Sequence, residues 1–282
     1  KAELFRKNGG IIIAAQLIFV IFFFNLLFFQ TANATTYYSR QSGLNWSNPA
    51  AWSTVTYGNP VNLGTIPKAG DNVFVGAGHT VTIDIAGFAY SLAIDGTLEF
   101  EQTTARSLSV SESVTINSSG IFQSNAAGTQ TNHSVTIGQN LVNNGILDFS
   151  TNSNTAGAGI IFNSTLQGVF TLGSTSTTDL RTVTLSKGSN PTAIMVFTPD
   201  GTFTVLGATT AGFLGLGTGG TFEIAGTATF SNPVFSSAAY SIPSTCSFRL
   251  NNPNATVVGQ NGSPTTNGTL RISQGTFNVG TA

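Results

Sequence analysis

Residues 96–124 read GTLEFEQTTARSLSVSESVTINSSGIFQS. The stretch opens and closes on one pattern: a glycine followed by a short alternation of apolar and polar residues. Successive side chains of a β-strand point to opposite faces. Leu98 and Phe100 therefore face a core, and Glu99 between them faces water. The pattern returns as GILDF from Gly145, GVFTL from Gly168, GTFTV from Gly201, GTFEI from Gly220, GTLRI from Gly268 and GTFNV from Gly275. Two places after the glycine the residue is always Leu or Phe: Leu98, Phe122, Leu147, Phe170, Phe203, Phe222, Leu270 and Phe277. The next residue is always polar, and the one after it is apolar except at Ser124.

The first four glycines of this series stand 24, 25 and 23 residues apart, and intervals of 33 and 19 follow. A period in the low twenties matches one coil of a parallel β-helix, each coil holding two or three short strands joined by tight bends. Glycine suits such bends because it enters positive φ without steric cost. Like residues of successive coils form ladders about 4.8 Å apart, and each coil needs its neighbours to bury its apolar face. The runs VTI at Val81, Val114 and Val135 and VTL at Val183 fit the same scheme, with Thr82, Thr115, Thr136 and Thr184 outward. We therefore expect an all-β, single-stranded parallel β-helix. The rival is a β-sandwich of antiparallel strands joined by two-residue hairpins.

Charged residues make up 7% of the 282, against roughly 25% in ordinary soluble domains. Acid–base chemistry needs ionisable groups, so the composition speaks against an enzyme. The formal charge is −1 and no basic stretch occurs beyond the N-terminus, which leaves nucleic acid without an electrostatic footprint. The lone Cys246 excludes an internal disulfide. Cys246, Phe248 and Leu250 share one strand face, so we read a buried thiol.

Lys1, Arg6 and Lys7 precede an apolar run from Ile11 to Phe29, and Ala32 and Ala34 form a small-x-small pattern. We read residues 1–34 as a secretory signal peptide. A retained membrane anchor is the rival, because the run approaches the roughly 20 residues of a span. Residues 35–70 are expected to form an N-terminal cap, and 71–282 the β-helix repeats. Lys1 in place of Met, and a last repeat that breaks off, lead us to expect a longer parent chain.

The segment before the repeats carries a second pattern: Trp46 and Trp52, then Gly64, Pro67, Gly70, Asp71, Val73, Gly76, Val81 and Asp84. It resembles the start of the eight-glycine domain, over about 40 residues. The remainder is similar to large secreted bacterial β-helix proteins, many of them exported by the type IX route with a C-terminal sorting domain. The resemblance implies a right-handed β-helix in an extracellular setting, often carbohydrate-related or adhesive. It transfers no catalytic residues.

His79, in GDNVFVGAGHTVTID (70–84), shares parity with Val81 and Ile83. We read it as a core-edge residue bonded to a neighbour; pairing with Asp71 or Asp84 is the functional alternative. No serine-nucleophile motif and no metal-ligand spacing accompany it, so we expect neither metal nor cofactor. The best enzymatic candidates are Glu99 and Asp148, with Gln123 on the rung between. Two rungs are about 10 Å, just outside the roughly 6.5–9.5 Å of inverting glycosidases. Glu101 lies on the same face as Glu99, and Arg106 and Arg181 are the basic residues a polysaccharide lyase would call on. The adjacent aspartates, histidine and Arg-x-Lys of the pectin-degrading β-helix hydrolases are missing. Trp46 and Trp52 offer rings for a sugar, but we read them as buried cap residues. The expectation is a secreted or cell-surface scaffold with an adhesive role, meeting extracellular glycans or other surface components, and neither nucleic acid nor, after signal cleavage, a membrane. The alternatives are a carbohydrate-binding or carbohydrate-active β-helix and, third, ice or surface binding through threonine ladders.

Overall fold

The computed structural model describes residues 34–59 and 64–280. The expected leader, apart from Ala34, lies outside the described residues. Among them the helical content is a single 3-10 turn, Pro49–Ala51, capped by the Asn48 side chain. The strands form sheets of twelve, seven and six strands, here called the first, second and third, plus a two-stranded piece near the C-terminal end.

From Asn72 to Leu216 the chain visits the three sheets in strict rotation, six times. One rotation is Ser91–Ile94, Thr97–Phe100 and Ser107–Val110; the next is Ser113–Ile116, Ile121–Gln123 and His133–Ile137. Neighbouring coils pair in parallel and in register, with Val114 opposite Leu92, Phe122 opposite Leu98 and Val135 opposite Leu108. The described residues form a three-sheet parallel β-solenoid. Among the described strand pairs one is antiparallel, Thr36–Ser39 with Trp52–Ser53, so the hairpin-joined sandwich is not formed.

Residues 35–70, expected as a cap, contain strands that already stack on the solenoid. Thr36–Ser39 pairs in parallel with Asn72–Val75, and Leu44–Asn45 with Thr80–Ile83. Asp84 ties this turn down by accepting from the Ser47 N–H at 2.9 Å and its hydroxyl at 2.5 Å. Trp46 and Trp52 are buried, 5.0 Å apart and edge to face, and the Trp52 indole N–H donates to the Trp46 carbonyl. They fill the interior at this end, as rings too large to leave wet do.

The alternation places the core as expected. Leu98, Phe122, Leu147, Phe170 and Phe222 are fully buried, and Phe203, Leu270 and Phe277 pack against the same core. Two features differ from the reading above. First, the glycine motif does not mark one face. Gly96, Gly120, Gly145 and Gly201 precede strands of the second sheet, whereas Gly168, Gly220 and Gly268 open or precede strands of the first. The irregular intervals of 33 and 19 arise from this change of face. Second, Gly96, Gly120 and Gly145 do not take positive φ. Their role is close approach: a Cβ would stand 2.2 Å from the Gly76 carbonyl oxygen, 2.1 Å from that of Ile94 and 2.3 Å from that of Asn117, respectively. Each bend rests directly on backbone of the coil before it, which only a residue without Cβ allows.

Several polar side chains are buried in this interior, among them Asn143, Thr178 and Asn252, and one of them is a lysine. Lys187, just after the third-sheet strand Thr182–Leu185, is 1% exposed, and its ammonium donates to the Gly138 carbonyl at 3.0 Å. Burial with no opposing charge pushes its pKa down to about 8.

After Leu216 the rotation loosens. Gly220–Ile224 and Phe230–Asn232 both pair with the twelve-residue strand Cys246–Val257, on which Thr269–Phe277 then stacks. Cys246, Phe248 and Leu250 are fully buried, and burial raises the thiol pKa.

Candidate functional site

Parallel, in-register stacking turns every outward position into a column. On the second sheet one column runs Thr82, Glu99, Gln123, Asp148, Asp179, Thr204. Glu99 and Asp148 thus stand two rungs apart with Gln123 between them. The Glu99 carboxylate accepts from the Gln123 amide at 3.0 Å and from the Asn125 amide at 3.0 Å. Asp148 accepts from the Ser150 N–H at 3.1 Å.

Asp179 joins this column one rung beyond Asp148, about 4.8 Å along the axis. Its oxygens accept from the Gly207 N–H at 3.0 and 3.1 Å. Burial, with the Asp179 charge beside it, raises the Asp148 pKa from its ordinary value, while the Ser150 N–H works against the rise. No sequence signal marked Asp179, because its strand, Thr177–Leu180, follows Ser176 rather than a glycine.

The segment after Asp148 arches over this edge. Asn152, Ser153 and Asn154 take left-handed φ of 50, 53 and 68°, and the Asn154 amide reaches the carbonyl of Leu206, itself at 54°. These are all the non-glycine left-handed residues among those described. Backbone of this kind costs on the order of 1–3 kcal/mol per residue and persists where its surroundings hold it.

The other candidates are placed as follows. The His79 ring meets Ser39, Oγ to Nδ1 2.7 Å, and the same Ser39 Oγ accepts from the Gly76 N–H. Asp71 instead accepts from the Thr35 and Lys68 N–H groups, and Asp84 from Ser47, so neither approaches His79 as a partner. Arg106 pairs with Glu101 at 2.9 Å, and Arg181 donates to the Asn154 carbonyl at 3.2 Å. His133 is buried against the Phe100 ring at 4.6 Å; its Nδ1 accepts from the Arg106 N–H, and burial lowers its pKa. Trp46 and Trp52 lie inside, their rings covered by core.

The threonines expected to face outward are spread over three sheets: Thr82 on the second, Thr115 on the first, Thr136 and Thr184 on the third. The third sheet presents a pair of columns in which Ser and Thr hold six of ten positions. Ser107, Ser134, Gly159 and Thr182 form one, and Phe88, Ser109, Thr136, Ile161, Thr184 and Gly215 the other. None of these residues is charged.

Comparison with known families places residues 58–161 as similar to the G8 domain, just over a third of the chain. The matched stretch spans the coils that carry Glu99, Gln123 and Asp148. No curated protein and no solved structure matches the chain. The fold and this match together define a β-helix protein with a G8-like segment.

Proposed function

We propose that the chain is an extracellular scaffold, a stiff rod that adheres to uncharged surface polymers, glycans foremost, through its outward ladders. The observation that carries the reading is the pair of uncharged third-sheet columns, Ser or Thr at six of ten positions, held in register by parallel pairing. A fixed lattice of hydroxyls gives repeated weak hydrogen bonds to a repeating polymer, and the covalent rod supplies the multivalency. The G8-like segment and the β-solenoid support an extracellular setting, and the leader-like residues 1–34 agree with export.

Contacts between hydroxyls and neutral sugars are not screened by ions. Retention of the chain from Thr35 onward on immobilised neutral polysaccharides is therefore expected to hold between about 0.1 M and about 1 M salt, although the Debye length falls from about 10 to about 3 Å. Absence of retention on any neutral polysaccharide, or its collapse at high salt, overturns the reading.

A second reading is a carbohydrate-active enzyme, favoured by the adjacent Asp148 and Asp179. One rung lies close to the roughly 5–5.5 Å between carboxyl groups in retaining glycosidases. Reducing ends released by the wild type and lost in Asp179→Asn would favour it over the scaffold. Binding without turnover favours the scaffold.

A further inference from the structure

The third-sheet column that runs through Ser109, Thr136 and Thr184 ends in a groove. Its floor is the strand Leu214–Leu216, and its wall is the segment Phe235–Ser241 that returns alongside. The wall is fixed to the floor by the Ser236 N–H, which donates to the Leu214 carbonyl at 3.0 Å. Tyr240 lies flat on Phe235, ring centroids 4.0 Å apart and planes 9° from parallel. Phe235 is 4% exposed and packs inward on Phe248, so Tyr240 is the outer ring of the stack. The space holds about 180 Å³, and its lining includes Ser236, Ser237 and Ser241 but no charged side chain.

Gly215, in the groove floor, has no reason in the fold to be glycine. Its φ is not left-handed, and a Cβ there would meet nothing nearer than the Val183 carbonyl oxygen at 3.9 Å. Every other described glycine either takes positive φ or would bring its Cβ within 3.4 Å of another atom. A glycine inside a strand weakens it, and one use of such a glycine is to let a ligand approach the backbone closely. Gly215 also stands at the end of the column whose preceding member is Thr184. A side chain there would close the space that the glycine leaves open.

We propose that this groove is a subsite for one uncharged sugar ring of a glycan. Tyr240 serves as the stacking platform, and the Ser236, Ser237 and Ser241 hydroxyls serve as hydrogen-bonding partners. A pyranose has an apolar C–H face and a rim of hydroxyls; an aromatic face beside uncharged hydroxyls matches both. The volume is below the roughly 300–1,000 Å³ of pockets that enclose a whole small molecule. One ring of a longer chain fits that size, its neighbours running along the third-sheet columns. The assignment rests on the glycan-adhesion reading and locates it.

The test compares wild type, Gly215→Ala, Gly215→Leu and Tyr240→Ala on immobilised neutral glucans, mannans and galactans, with circular dichroism melts to confirm folding. Both Gly215 substitutions point into open space, so each is expected to fold. Gly215→Ala should bind as wild type. Gly215→Leu, which fills the groove, and Tyr240→Ala, which removes the platform, should each weaken retention at least about tenfold. If the wild type binds and a folded Gly215→Leu binds equally, the groove is not the site and the adhesion reading stands. If the wild type binds none of the polysaccharides, both fall together.

Discussion

Replacing Gly120 with Ala is expected to cost the protein about 4 kcal/mol or more, although Ala is ordinarily the gentlest substitution for glycine. The added Cβ would lie 2.1 Å from the Ile94 carbonyl oxygen and 3.0 Å from its carbon, both backbone atoms of the coil before. No side-chain rotation relieves that overlap, so the two coils must separate at this corner. Separation strains the bonds from Asn117 N–H to the Ile94 carbonyl and from Ile121 N–H to the Gly96 carbonyl, both 2.8–2.9 Å. Overpacking with backbone displacement lies at the upper end of single-substitution effects. Gly215→Ala is the internal control: with no contact nearer than 3.9 Å it should be neutral or stabilise by about 0.5–1 kcal/mol through strand propensity. Urea unfolding of the two variants checks the contrast. Equal midpoints would mean that Gly120 is not pressed against the preceding coil.

The second large effect concerns Lys187. Its pKa in the folded protein is about 8, below the ordinary 10.5, because the ammonium sits in the interior with only the Gly138 carbonyl to meet it. A depressed lysine pKa means that the unfolded chain binds the proton more tightly. The stabilising contribution is therefore complete above about pH 10.5 and is lost as pH falls towards 8. At pH 7 the buried charge costs roughly 3 kcal/mol relative to the neutral amine. Lys187→Met removes that cost but leaves the Gly138 carbonyl without its partner, a loss of about 1–3 kcal/mol. The variant should be the more stable near pH 7 and the less stable above pH 10.5, with wild type gaining about 3 kcal/mol on it across the interval. A stability difference that does not change with pH would show that the ammonium is not held in the interior.

These two residues mark what could and could not be read from the chain. The inward Leu/Phe column was legible because alternation in a strand is a local property, and Leu98, Phe122 and Leu147 each carry it within five residues. The rung position of Gly96, Gly120 and Gly145 was legible from their even spacing. Their physical role was not, since close approach to a carbonyl of the preceding coil is a contact across some 25 residues. The change of face at Gly168 was hidden because corner loops vary in length without altering the local alternation. Asp179 was missed for a related reason: only the register of coils places it beside Asp148, and its strand lacks the leading glycine. Lys187 was not singled out in the sequence, because burial of a lone lysine has no local signature. The groove at Gly215 depends on the return of Phe235–Ser241 beside the third sheet, which short-range patterning does not encode.

The in-register third-sheet columns underlie both the adhesive surface and the groove, and cysteine pairing tests them most directly. In a Cys246→Ala background, Ser109→Cys with Thr136→Cys joins adjacent rungs, while Ser109→Cys with Thr184→Cys spans three, about 14 Å. A disulfide needs Cα atoms about 4.4–6.8 Å apart. Mild oxidation of the monomer should bridge the first pair within the chain and leave the second as free thiols. Free thiols in the first pair, or equal bridging in both, would contradict the stacked columns and the surface built on them.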